Sequence, residues 1–143
     1  MKLFITSLII VLLNVGTKHT ERKETIKTQN INTVKKATLK TFTYEDIARY
    51  TMASIMGQQP KIITATKKGD LYYVSYIRKS DNIKFDYKIK FEGNKILWSN
   101  IDVRWRNSQY DEKVTFIEKN NKLSIIQIFS DGSKDVQEYK KGQ

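Results

Sequence analysis

Residues 84–92 alternate without interruption. Phe85, Tyr87, Ile89 and Phe91 fall on one side of an extended chain, and Lys84, Asp86, Lys88 and Lys90 fall on the other. Strand side chains alternate between faces, so this segment reads as a strand with one apolar and one solvated face. Gly93-Asn94 follows it with residues suited to a tight hairpin turn. The same punctuation recurs along the chain: Lys68-Gly69-Asp70, Ser80-Asp81-Asn82, Asn120-Asn121 and Asp131-Gly132 separate apolar runs. Strands are therefore predicted at 61–67, 71–79, 84–92, 95–99 (reaching 101 at most), 113–118, 122–130 and 134–139. Short turns at this spacing specify an antiparallel meander.

One segment breaks the period. Tyr44, Ile47, Ala48, Thr51 and Ile55 lie on one helical stripe. Thr43 supplies an N-cap oxygen with Asp46 three residues on, and Phe42 and Ile47 suit a hydrophobic staple. Gly57 can adopt the left-handed conformation that ends a helix, and Pro60 forbids continuation. The spacing predicts one helix, 43–57.

Two strands are apolar on both faces. Leu71, Tyr73 and Ile77 oppose Tyr72, Val74 and Tyr76, while Leu123, Ile125 and Phe129 oppose Ile126 and Ile128. A flat sheet under one helix would leave one of these sets in water. Either the sheet curls strongly and closes in part, or a second copy covers the other face. The expected fold is α+β: one N-terminal helix packed on a strongly curved, partly barrel-like antiparallel β-meander of six to seven strands.

Ahead of this domain, Met1-Lys2 is followed by an almost wholly apolar run of thirteen residues, Leu3 to Val15. A membrane-spanning helix needs about twenty residues, whereas a secretory h-region is about 7–15 long. Residues 1–16 are accordingly read as a signal peptide, with an uncleaved anchor or a buried helix as the alternatives. The chain has no cysteine, so neither a lipid anchor nor a disulfide is available and the core must suffice.

The formal charge is +11, and residues 17–41 concentrate it: seven basic side chains stand against Glu21 and Glu24. No aromatic residue and no apolar period occur there, so 17–41 is read as a flexible basic leader and 42–143 as a single domain. Peripheral contact of this leader with a membrane is one use for its charge; a solvated linker is the other. Export argues against nucleic acid as the partner, and no nucleic-acid recognition motif is present. The expected location is periplasmic or secreted.

Catalytic material is sparse. The lone histidine, His19, lies in the leader, and six glycines are scattered singly rather than gathered in a phosphate loop. No metal site and no cofactor is expected. The densest chemistry lies in residues 98–112, which hold Trp98 and Trp105, Arg104 and Arg106, and Asp102, Asp111 and Glu112. If extended, this stretch puts Asp102, Arg104 and Arg106 on one side and Val103 and Trp105 on the other. Arginine forks fit carboxylate or phosphate, and Arg with Trp is also what protein-binding hot spots are made of. Alternatively, the tryptophans are core residues and the arginines pair internally with Asp102, Asp111 or Glu112.

Several spaced motifs resemble a family of small exported bacterial proteins of unknown function. They are Ile55-Met56-Gly57 with Pro60, Val74-Ser75-Tyr76-Ile77-Arg78, Glu92-Gly93-Asn94-Lys95-Ile96 with Trp98, Asp102 with Arg104-Trp105-Arg106, Asp111-Glu112 with Thr115-Phe116, and Ser130-Asp131-Gly132-Ser133. The similarity spans residues 44–135 and implies no activity. Members carry a cysteine in the helix and another in the third strand, at positions matching Ala48 and Ile89. The resemblance thus implies that the helix crosses the apolar face of the third strand, with packing in place of a bond that typically adds about 2–4 kcal/mol.

The expected function is that of an exported, non-catalytic binding module. It would recognise a protein or anionic envelope ligand through Arg104, Trp105, Arg106 and Trp98, with Asp102 and Asp111 orienting the arginines. The alternatives are a hydrolase of envelope polysaccharide or peptide, using converging carboxylates among Asp102, Asp111 and Glu112, and an assembly, exclusion or immunity component of an envelope complex. The oligomeric state is open.

Overall fold

A computed structural model describes residues 37–143; the segment read as a signal peptide, 1–16, and residues 17–36 of the segment read as a leader lie outside the described residues. Helix α1, Tyr44–Met56, opens on a capping box in which Thr43 accepts from the Asp46 amide and Asp46 accepts from the Thr43 amide. It closes at Gly57, whose φ of 63° is the left-handed conformation that lets its N–H reach the Ala53 carbonyl. Pro60 then starts a short 3₁₀ turn, Pro60–Ile62. The first strand therefore begins at Thr64 rather than at residue 61, because proline's fixed φ and the turn it starts occupy the residues read as extended.

Seven strands follow: β1 Thr64–Lys68, β2 Leu71–Ile77, β3 Lys84–Glu92, β4 Lys95–Asn100, β5 Lys113–Lys119, β6 Lys122–Ile128 and β7 Lys134–Lys140. They form one antiparallel sheet in sequence order. The sheet is not closed into a barrel: β1 and β7 are its two edges. Helix α1 lies between them. Arg49 donates to the Ile63 carbonyl at the β1 side, and Tyr50 stacks on Tyr139 of β7 with ring centroids 4.8 Å apart.

The curvature explains why α1 buries more than one stripe. Tyr50, Met52 and Ala53 join Ile47, Ala48 and Thr51 in the interior, since a sheet that rises on both sides of a helix covers more of its circumference. Phe42, Ile47, Tyr72, Val74, Tyr87, Ile96, Val114, Leu123 and Ile125 belong to the same core, as do Ala48 and Ile89, both fully buried. The outer sheet face is different. Ile77, Ile117, Ile128 and Val136 remain 39–54% exposed, so curling does not bury the second apolar set of β2 and β6.

The ordered packing begins ahead of Phe42. Ala37 and Leu39 lie against the core. Glu118 of β5 accepts the backbone N–H groups of Lys40, Thr41 and Phe42 at 2.7, 2.7 and 2.8 Å. This carboxylate fixes where the leader meets the sheet. The end of the segment read as flexible, residues 37–41, is therefore tied to β5.

Candidate functional site

Strands β4 and β5 pair only through Lys95↔Thr115 and Ile96↔Val114. Beyond that point they separate, and residues 101–112 fill the gap as a series of turns rather than as an extended strip. The alternation expected for Asp102 to Arg106 therefore does not form. The Ser99 hydroxyl donates to the Val103 carbonyl at 3.3 Å, and the Arg106 amide donates to the Trp98 carbonyl at 3.2 Å, folding the segment back on β4.

This fold-back sends the two tryptophans to opposite faces. Trp98 points inward: its ring meets Tyr87 edge-on at 5.9 Å, and its Nε1 donates to Glu112 at 2.9 Å. Trp105 lies on the outer face, because its partners are the outward-pointing Lys88 and Lys90 of β3. Their ammoniums sit 4.8 and 4.6 Å from its ring centroid. Leu97 and Ser99, also on the outer side of β4, are buried there although Leu97 lies outside the main core.

The arginines pair internally. Arg104 Nη1 donates to Asp111 Oδ2 at 2.8 Å, and Asp111 also accepts the Ser108 amide and hydroxyl at 2.9 and 2.8 Å. Arg106 grips Glu112 through Nε and Nη2, the shorter contact being 2.7 Å, and its guanidinium lies 4.9 Å from the Trp98 ring centroid. Both arginines thus approach Asp111, with Arg106 Nη2 3.6 Å from Oδ1. The Arg104 side chain stays 63% exposed while Asp111 is 7% exposed, so the acid is the buried anchor and the arginine its outer cover.

Asp102 takes no part in orienting them. It lies instead on the rim of a separate groove, and Glu112 fills the role expected of it. Hydrogen bonds from Arg104 and then Ser108 hold the Asp111 carboxyl well below the usual carboxylate range. It is ionised at neutrality and cannot act there as a general acid. The expected convergence of Asp102, Asp111 and Glu112 on one reacting centre does not occur: two face arginines and one faces the groove.

Two openings flank this segment. On the outer face, a groove of about 760 Å³ runs over β1–β3 to residues 100–103 and is lined by Thr64, Thr66, Tyr73, Ser75, Asp86 and Asp102 among others. On the inner side, a cleft of about 600 Å³ lies between the end of α1 and the β4–β5 gap, with Trp98, Arg106, Glu112, Tyr110 and Phe129 on its walls. Among the described residues, no cluster of three or more acidic or imidazole groups could hold a metal ion.

Lys88 and Lys90 are the residues that the linear sequence does not single out. Its alternation does put both on the solvated face of β3, which was the available signal. That Trp105 would come down on them depends on the fold-back, for which the sequence carries no period. No family model, curated protein or solved structure matches the chain.

Proposed function

We propose that the domain is an exported, non-catalytic binding module for an anionic ligand, held on the outer sheet face by Lys88, Lys90, Trp105 and the exposed edge of Arg104. The observation that carries this reading is the pairing of two cations on one aromatic ring. Lys88 and Lys90 are half-buried, and neither makes an ion pair or a hydrogen bond with a described residue. A half-buried lysine buries its stem along the surface and keeps its ammonium available to water or to a ligand. Among the described residues, the Trp105 ring face is the partner of both, worth about 0.5–1 kcal/mol per contact at exposed sites. Two like charges sharing a ring repel each other, and an anion placed between them would relieve that repulsion.

This reading moves the expected ligand contacts. Trp105 and Arg104 keep a surface role, whereas Trp98, Asp111 and the Arg106–Glu112 pair become the support that holds the segment down. Export is proposed on the N-terminal pattern alone; no helix among the described residues is long and apolar enough to cross a membrane.

The test is binding of the full chain to inorganic polyphosphate at physiological salt, before and after Lys88→Ala with Lys90→Ala. Exposed ion contacts contribute about 0.2–1 kcal/mol each, so the double variant is expected to bind several-fold to about tenfold more weakly. A matched Lys134→Ala with Lys140→Ala variant on β7 should bind as the parent does. Equal losses in the two double variants would mean that net charge, not this site, drives binding, and the proposal would fail.

A further inference from the structure

The outer face carries the cation–aromatic unit twice. Lys68 of β1 sits with its ammonium 5.5 Å from the Tyr73 ring centroid on β2, as Lys88 and Lys90 sit on Trp105. Register places the two units side by side. Thr66 is opposite Tyr73, Tyr73 is opposite Lys88, and Lys88 is opposite Ser99. Neighbouring strands are about 4.8 Å apart, so the two rings are separated by one or two strand spacings along a line across the sheet. A ligand that meets the same unit twice at short range is a repeating one.

The groove that joins them is polar in a particular way. Thr64 and Ser75 form a hydroxyl pair 3.1 Å apart, Thr66 is exposed beside Tyr73, and Asp86 and Asp102 bring carboxylates to the edge. Asp102 makes no hydrogen bond or ion pair with a described residue, so its oxygens are open acceptors. Carboxylate acceptors beside hydroxyls suit a ligand that donates O–H groups. They oppose one that carries a phosphate on every unit, because each phosphate passing the groove would face Asp102, which has no cationic partner among the described residues, and Asp86, which the exposed Lys84 at 3.4 Å offsets only in part. Flat aromatic faces with ammoniums suit rings bearing an occasional negative charge.

Resting on the anion-binding reading above, we propose that the ligand is an acidic polysaccharide, laid across β1–β4 with one sugar on Tyr73 in the hydroxyl-lined groove and its acid group at Lys88, Lys90 and Trp105. The carboxylates of the groove accept sugar hydroxyls. The lysines take the uronate or other acidic substituent of a neighbouring ring.

The test uses the full chain with four probes: an oligosaccharide that alternates uronate with neutral sugar, a neutral malto-oligosaccharide of equal length, and inorganic polyphosphate and a single-stranded oligonucleotide of equal charge. The alternating uronate oligosaccharide is expected to bind at least about tenfold more tightly than any of the others. Tyr73→Ala should weaken it several-fold and leave polyphosphate binding unchanged, while Lys88→Ala with Lys90→Ala weakens both. Thr66→Ala, at an exposed edge position, repeats the Tyr73 arm at smaller amplitude should Tyr73→Ala fail to fold. Equal or tighter polyphosphate binding, with no response to Tyr73→Ala or Thr66→Ala, overturns the polysaccharide assignment and leaves the anion site standing. Tighter binding of the single-stranded oligonucleotide than of the alternating uronate oligosaccharide also overturns it. If the double lysine variant changes neither polyanion, both proposals fall together.

Discussion

Arg106 and Arg104 differ in what their removal leaves behind. Arg106 covers Glu112, whose side chain is 9% exposed, and lies against Trp98. Taking it away leaves a nearly buried carboxylate with the Trp98 N–H as its remaining side-chain donor. An unsatisfied buried polar group costs about 1–3 kcal/mol, and more when charged. Arg106→Ala is therefore expected to lower the urea midpoint by an amount in that range. Arg104 is largely in water, and Asp111 retains the two Ser108 donors without it. Arg104→Ala should be clearly the milder substitution. Urea titration followed by tryptophan fluorescence checks the order; an Arg104→Ala variant as unstable as Arg106→Ala would show that the loop is held from its outer side. The residue types of this segment were legible in the sequence, and so was the possibility of internal pairing. The choice of Glu112 over Asp102 as partner was not, because it depends on which turns the loop makes, and turn-rich segments carry no period to read.

At the scale of elements, local chemistry and outcome agree closely where one rule acts alone. The strict alternation of β3 gave its ends at Lys84 and Glu92 without error, and Thr43, Asp46 and Gly57 bounded α1. Thr43→Ala removes the oxygen that accepts the Asp46 amide, and should destabilise the domain by about 1 kcal/mol. Thr43→Ser should restore it, and calorimetry of the pair separates a capping role from mere loss of bulk. Agreement fails where two rules compete. Residues 61–63 have strand-like composition, but Pro60 commits them to a 3₁₀ turn. Strands β2 and β6 looked too apolar for an open sheet, yet the sheet stays open and Ile77 and Ile128 stay exposed. Composition counts apolar residues; it does not say how many faces the rest of the fold will cover. The same limit applies to the candidate site. Lys88 and Lys90 were legible as surface residues of β3, and their meeting with Trp105 required knowledge of a contact between segments about fifteen residues apart.

Over the whole molecule, several ties share one electrostatic character: a carboxylate whose charged form is held by donors. Glu118 is pushed up by burial, but the N–H groups of Lys40, Phe42 and Thr41 outweigh that and bring it below its usual value. Asp46 is likewise pushed up by burial and drawn down further by Lys141 and Thr43. Asp111 is lowered by Arg104 and Ser108, Asp81 by Arg78, and Asp131 by Ser133. Each of these groups takes up its proton at lower pH when folded than when unfolded. The unfolded chain therefore binds more protons through the acidic range, and stability rises with pH there. The contribution is complete above the ordinary Asp and Glu values of about 4, and is lost progressively as pH falls through the lowered folded values. Mounting positive charge works in the same direction, since a chain at +11 gains further repulsion as its acids are neutralised. Urea midpoints should accordingly be flat from pH 7 to about 5 and fall steeply below about 4. Glu118→Gln separates the two causes. It removes one lowered carboxylate, so its midpoint should start below the parent's at pH 7 and converge on it near pH 3. A gap that stays constant across that range would mean that Glu118 stabilises by packing alone, and that the carboxylate ties do not set the acid limit of the fold.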